Sequence, residues 1–372
     1  MQARAWLNAL RDAPRKKPLP VLSFPCVSLL NITVKDLIAD SGLQAEGMRR
    51  VAERVDAAAA VSFMDLSVEA EAFGCPIRIS DDEVPTVTGA VITSEEEARA
   101  LPVPEVGAGR TGRCIEAIKK AAALITDRPV FAGVIGPFSL AGRLMDVTEA
   151  LVNCYTEPDM VHLAMRKATD FLTAYIRAYK ERTGAAGVVM AEPLTGLLSP
   201  DMAAQFSEPY VREIIEAVQD DDFLVIYHNC GNNTIQMIDS ILRTGAAAYH
   251  FGNAIDMAAM LPHIPADTVA MGNLDPAGQF RNGTPASVRE ETLRLMAACC
   301  PGYPNFVVSS GCDIPPRLPL GEHRRLLRRR ERVLRQPLNS PLAASNAVSD
   351  ALKNHLRTTL YGPQVVFLSL FV

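Results

Sequence analysis

His228, Cys230 and Cys312 are the residues of this chain best suited to chemistry at a metal. The first two stand two positions apart where an apolar run from Phe223 to Tyr227 meets Gly231. The third follows a second such run, Phe306 to Ser310, and again a glycine, Gly311. One imidazole and two thiols suit zinc. Three protein ligands leave a fourth tetrahedral position open, which separates a catalytic zinc from a structural one. The competing reading is that these are inert core residues, as most histidines and cysteines on apolar strands are. It suits the other cysteines better: Cys26, Cys75, Cys114, Cys154, Cys299 and Cys300 have no histidine within two positions and read as small buried hydrophobes or idle thiols.

Such ligands need rigid elements to hold them, and short apolar runs ending in turn or polar residues recur along the chain. They predict strands at Val21 to Ser28, Ala57 to Asp65, Val130 to Gly136, Gly187 to Glu192, Phe223 to His228, Ala246 to Phe251, Thr268 to Asn273 and Asn305 to Ser310. Helical segments separate them. Residues 159 to 181 show the period, with Val161, Met165, Ala168, Phe171, Leu172, Tyr175 and Tyr179 at three- and four-residue steps. Ser199 before Pro200 and Thr284 before Pro285 supply N-caps with first-turn prolines, and Gly184 and Gly245 fall where helices 159–181 and 233–243 should stop. Eight βα units in series predict an α/β protein, a single-domain (β/α)8 TIM barrel, with thiols at the C-terminal strand ends where such barrels carry their sites. An open parallel sheet is the alternative. The expected division is an N-terminal arm over 1–17, the barrel over 18–336 and a C-terminal extension over 337–372. Residues 66–110, rich in proline, are an insertion after the second strand that should form a hairpin or lid over the mouth. Residues 322–335 read as a basic amphipathic helix, a solvated face or a docking surface.

With 372 residues, 48% hydrophobic and 21% charged, the chain can bury a large core, and a net charge of −5 argues against a general nucleic-acid binder. No uninterrupted apolar stretch reaches the roughly 20 residues that span a bilayer. Met1 to Leu10 lacks the apolar core of a secretory signal, and eight cysteines without framework spacing suit a reducing compartment. A cytoplasmic protein, as a single chain or a homo-oligomer, is expected.

Several motifs together resemble the uroporphyrinogen decarboxylase superfamily, in particular its methylcobamide:coenzyme M methyltransferase branch. They are Met64 to Gly74, with Asp65, Glu69 and Glu71; Gly136, Pro137 and Phe138; Ala191, Glu192 and Pro193; His228 to Asn232; Gly272 to Pro276; and Ser310 to Pro316. The resemblance spans roughly Pro18 to Pro316. It implies an (α/β)8 barrel and zinc held by His228, Cys230 and Cys312. It further implies transfer of a methyl group from a methylated corrinoid to a thiol such as coenzyme M. Nothing in the chain looks like a cobalamin-binding module, so the corrinoid is expected on a partner protein. The decarboxylase branch fits less well, because its arginine-rich stretch is missing where Pro20 to Ser28 stands, and its chemistry needs no metal. A non-catalytic member that binds a corrinoid or tetrapyrrole is the third reading. The chain departs from its relatives after Pro316, where Arg317 to Gly321 and the arginine-rich helix replace a more neutral ending.

Around the expected centre, Glu192 is assigned either a fourth ligand or proton acceptor, or a supporting role behind a ligand. Asp65 is a candidate to orient a ligand or to hydrogen-bond loop backbone. Glu69 and Glu71 favour the second of those roles. Asn232 and Asn273 are expected as hydrogen-bond donors in the pocket, and Asp313 as an acceptor from a ligating group or an N-cap.

Overall fold

The computed structural model describes residues 2–316; the basic segment 322–335 and the extension 337–372 lie outside the described residues. Nine strands occur among them: β1 Ala60–Val61, β2 Ile77–Arg78, β3 Thr86–Val87, β4 Val130–Ile135, β5 Gly187–Ala191, β6 Leu224–Asn229, β7 Ala248–Phe251, β8 Val269–Leu274 and β9 Phe306–Ser310. Seven form one parallel sheet in the order β1-β4-β5-β6-β7-β8-β9, and β2 pairs antiparallel with β3. Helices between them, the longest Pro158–Arg182, cover the outer face, giving a TIM-barrel fold.

Residues 18–23 complete the ring without forming a ladder. Pro18 O accepts from Ala58 N at 2.8 Å on the β1 side, and Leu19 N donates to Val308 O at 3.0 Å on β9. Pro18 and Pro20 have no N–H to give, so regular pairing is lost there. The strand expected at Val21 to Ser28 is therefore half right in place and wrong in extent: the chain turns at Phe24 and Pro25, and Cys26–Leu30 is a short helix.

Period-two alternation sorts each strand between two cores. Phe131, Val189, Ala191, Leu224, Ile226, Ala248, Met271 and Val307 fill the barrel interior, while Val130, Ala132, Val188, Met190, Val225, Tyr227 and Val308 face the helices. The arm expected outside the barrel is a helix, Ala3–Asp12, whose Ala3, Leu7 and Leu10 join the interior cluster. It stoppers the N-terminal end: Arg4 N donates to Asp221 O just before β6, Arg11 to Asp267 O just before β8, and Trp6 packs 5.4 Å from Phe131. Helix Pro158–Arg182 buries all seven residues of its expected stripe. Ser199 and Thr284 cap as read, Gly245 adopts a positive φ of 77°, but Gly184 does not end its helix, because Thr183 does so by bonding Tyr179 O. The insertion folds as helix Val68–Ala72, the β2–β3 hairpin and helix Glu95–Ala100. Residues Val84 to Thr88 of its hairpin line a cavity of about 480 Å³ with Met64, Ser67 and Arg143. Among the described residues no helix is long and apolar enough to cross a membrane.

Candidate metal centre

Strand register brings the predicted ligands to one place. His228 lies on β6 in the parity of Leu224 and Ile226, so its ring enters the barrel, where it is 2% exposed. Cys230 follows one residue past β6 and Cys312 two residues past β9, both half-buried. One donor atom from each lies within 4.8 Å of the others. Asn229, fully buried, shapes the turn that carries Cys230: its amide donates to Glu192 O at 3.1 Å, and its oxygen accepts from Gly231 N at 2.9 Å and Thr234 Oγ1 at 2.7 Å. Backbones crowd the site. A Cβ on Gly252 would stand 2.3 Å from Cys230 Cβ, and one on Gly231 would stand 2.3 Å from Gly196 Cα. Only glycine fits at either position.

Two chemical details suit a divalent cation. Nε2 of His228 is buried with no hydrogen-bond partner among the described residues, a condition that carries a desolvation cost unless a ligand fills it. The two thiols are in hydrogen-bond contact: the bond with Cys312 draws the Cys230 thiol below its ordinary range, while that same bond and burial push Cys312 up. A zinc ion would be held by the two sulfurs and the imidazole nitrogen, a donor set of the kind zinc prefers.

His250 was absent from the sequence reading. It pairs with His228 in register across β6 and β7, its Nδ1 2.6 Å from His228 Nδ1, and its Nε2 lies 2.8 Å from Ser310 O and 2.7 Å from Ser309 Oγ. No spacing motif marks it; only its inward parity with Ala248 could have done so.

The other expected site residues stand elsewhere. Glu192 does not join the centre. Ala191 is the residue in register with His228, so Glu192 points to the opposite, helix-facing side. There its carboxylate accepts from Phe138 N at 2.7 Å, Ser139 N at 3.1 Å, Ser139 Oγ at 2.9 Å and Thr195 Oγ1 at 3.0 Å, anchoring the N-terminus of helix Pro137–Met145. Asp65 also turns to the helix layer, ion-paired to Arg110 and accepting from Ser67 Oγ at 2.6 Å. Glu71 completes that pair from the other side of Arg110. Asn232 is exposed. Asn273 spends its amide on Gly252 O at 3.0 Å and Ile255 O at 2.6 Å, so it holds the loop beside Cys230 and not a ligand. Asp313 accepts from Met64 N at 3.1 Å and, with Phe24, Arg281 and Val84, lines a second mouth cavity of about 310 Å³.

Glu69 is buried, bonded to Ile135 N at 3.1 Å, with its second oxygen unpartnered; burial pushes its carboxyl up to about 7. A raised carboxyl keeps in the folded state a proton that the unfolded chain has already released. Its contribution is thus fully present below the ordinary carboxylate range and lost as pH rises through about 7. Unfolding free energy from urea titrations is expected to fall between pH 5 and pH 8, with Glu69→Gln removing about 2–3 kcal/mol of that fall. An unchanged pH slope in the variant would refute this.

The uroporphyrinogen decarboxylase (URO-D) family matches residues 26–333 of the chain. Methylcobamide:CoM methyltransferase MtbA of Methanosarcina mazei is 27% identical over 331 residues, 83% of this chain and 93% of that protein. Its counterpart in Methanosarcina acetivorans is 27% identical over 265 residues, 68% and 74% of the two chains. Uroporphyrinogen decarboxylase of Chlorobium limicola is 27% identical over 247 residues, 64% and 68%. Among solved structures, a methyltransferase from Methanosarcina mazei superposes with a TM-score of 0.75 at 23% identity, covering 90% of this chain and 99% of its own, a likeness of fold.

Proposed function

Because the chain belongs to the uroporphyrinogen decarboxylase family, we propose that this enzyme is a zinc-dependent methyltransferase moving a methyl group from a methylated corrinoid, carried by a partner protein, to a small thiol such as coenzyme M. The observation that carries this reading is the meeting of His228, Cys230 and Cys312 within 4.8 Å of one another around an unpartnered imidazole nitrogen. A zinc ion held by these three groups would supply the Lewis acidity that keeps a thiol ionised near neutral pH, where a free thiol of pKa about 8.5 is mostly protonated. Cys230 and Cys312 contribute two negative charges, so a sulfur held beside them stays electron-rich. His228 anchors the group from inside the barrel, and the half-buried sulfurs lie nearer solvent. The hairpin β2–β3 lines a cavity of about 480 Å³ with Met64, Ser67 and Arg143, and attack of sulfur on the methyl carbon would run in line with its leaving group.

The decarboxylase reading draws on relatives of similar identity, but residues 18–30 contain no arginine with which to hold a polycarboxylate. Methylcobalamin mixed with the zinc-loaded protein and a panel of thiols should yield the spectrum of the demethylated corrinoid together with a thioether. Porphyrinogen turnover without metal, and no thioether from any thiol, would overturn the proposal in favour of the decarboxylase.

A further inference from the structure

We infer that His250 is the positioning residue of the metal centre, fixing the tautomer and ring orientation of His228 so that Nε2 of His228 is offered as a bare donor beside Cys230 and Cys312. The inference rests on the metal-centre reading and follows from hydrogen-bond bookkeeping along one chain of groups. Ser309 Oγ donates to Leu19 O at 2.7 Å and is thereby left as an acceptor toward His250. Nε2 of His250 meets that oxygen at 2.7 Å and the carbonyl of Ser310 at 2.8 Å; a carbonyl can only accept, so this nitrogen carries a proton. The His250 ring is 1% exposed, and with its proton on Nε2 the imidazole presents Nδ1 as a lone pair.

Nδ1 of His228 faces that lone pair at 2.6 Å and the carbonyl of His250 at 3.2 Å. Both are acceptors, so Nδ1 of His228 holds its proton and Nε2 is bare. The atom assigned the bare lone pair is the one for which the described residues provide no hydrogen-bond partner. Parallel pairing of His228 with His250 sets the two rings at an interplanar angle of 50°, with centroids 4.6 Å apart, so the fold itself and not a mobile loop fixes the choice. A ligating histidine whose other nitrogen is held in this way gains both basicity and orientation.

The test has two arms. In metal-free protein labelled with 15N-histidine, the His228 resonances, identified by their loss in His228→Asn, are expected to report the Nδ1–H tautomer. Finding the Nε2–H tautomer would overturn the inference whether or not the protein binds metal. In competition titrations His250→Phe is expected to raise the zinc Kd about 10- to 100-fold, and His250→Gln, which can both accept and donate, to stay within about threefold of the parent. Equal affinity in His250→Phe would also overturn it. Failure of the unmodified protein to take up stoichiometric zinc refutes the metal centre instead, and leaves the tautomer result to decide the role of His250.

Discussion

Replacing Cys312 by alanine should reduce bound zinc from about one ion per chain to a small fraction, and thiol methylation by about 10³-fold or more. Two effects multiply. At pH 7 a free thiol is only a few per cent thiolate, so losing the ionised form alone costs about 30-fold. Losing the fixed direction of attack costs about another 10²-fold. Cys230→Ala should behave alike, and His228→Ala should match them, since removing any one of three ligands leaves too few donors. The controls matter as much. Cys75→Ala and Cys154→Ala change thiols that burial pushes up to about 11 and that lie outside the donor group, so zinc content should stay near one. Glu192→Gln should likewise keep its zinc, because its carboxylate serves the N-terminus of helix Pro137–Met145. Metal analysis by plasma emission, run beside the assay on folded samples, checks each. A Cys312→Ala protein with full zinc and full turnover would sink the assignment.

The elements that place these ligands were legible because β6 and β9 are buried on both faces. Each therefore reads as a continuous apolar run ending in a polar turn. The first expected strand, Val21 to Ser28, was not legible in extent, since the prolines just before it at 18 and 20 look compatible with an extended chain yet leave no donor for a ladder. Glu192 was misplaced for a different reason. Its position at a strand end was evident, but only the register of Ala191 with His228 reveals that it faces the helices. His250 was invisible by the same token: nothing near it in sequence suggests a site, and its role exists only through pairing with a strand 22 positions away. Local pattern locates strand ends, whereas side-chain company depends on register, which period-two alternation alone does not determine between neighbours.

Asp65 was read as a candidate to orient a ligand, and the Arg110 network gives it a different task. The Asp65 and Arg110 side chains are 5% and 6% exposed, and the guanidinium also serves Glu71 and, at 2.8 Å, Ser67 Oγ. Arg110 is thus the ion-pair partner of a buried carboxylate on the loop that leads from β1 into the hairpin insertion. Arg110→Met should therefore strand Asp65 without its counter-charge and lower the unfolding free energy by about 3–5 kcal/mol, measured by urea denaturation. Arg110→Lys should recover only part, because a lysine offers no planar fork to reach Asp65 and Glu71 together. Combining Arg110→Met with Asp65→Leu should restore much of the loss, since removing both charges leaves nothing buried and unpaired. If Asp65 acted at the metal, the double variant would regain stability while remaining without zinc. The geometry predicts the reverse, with zinc content near one ion per chain, because neither side chain is among the donors gathered around His228.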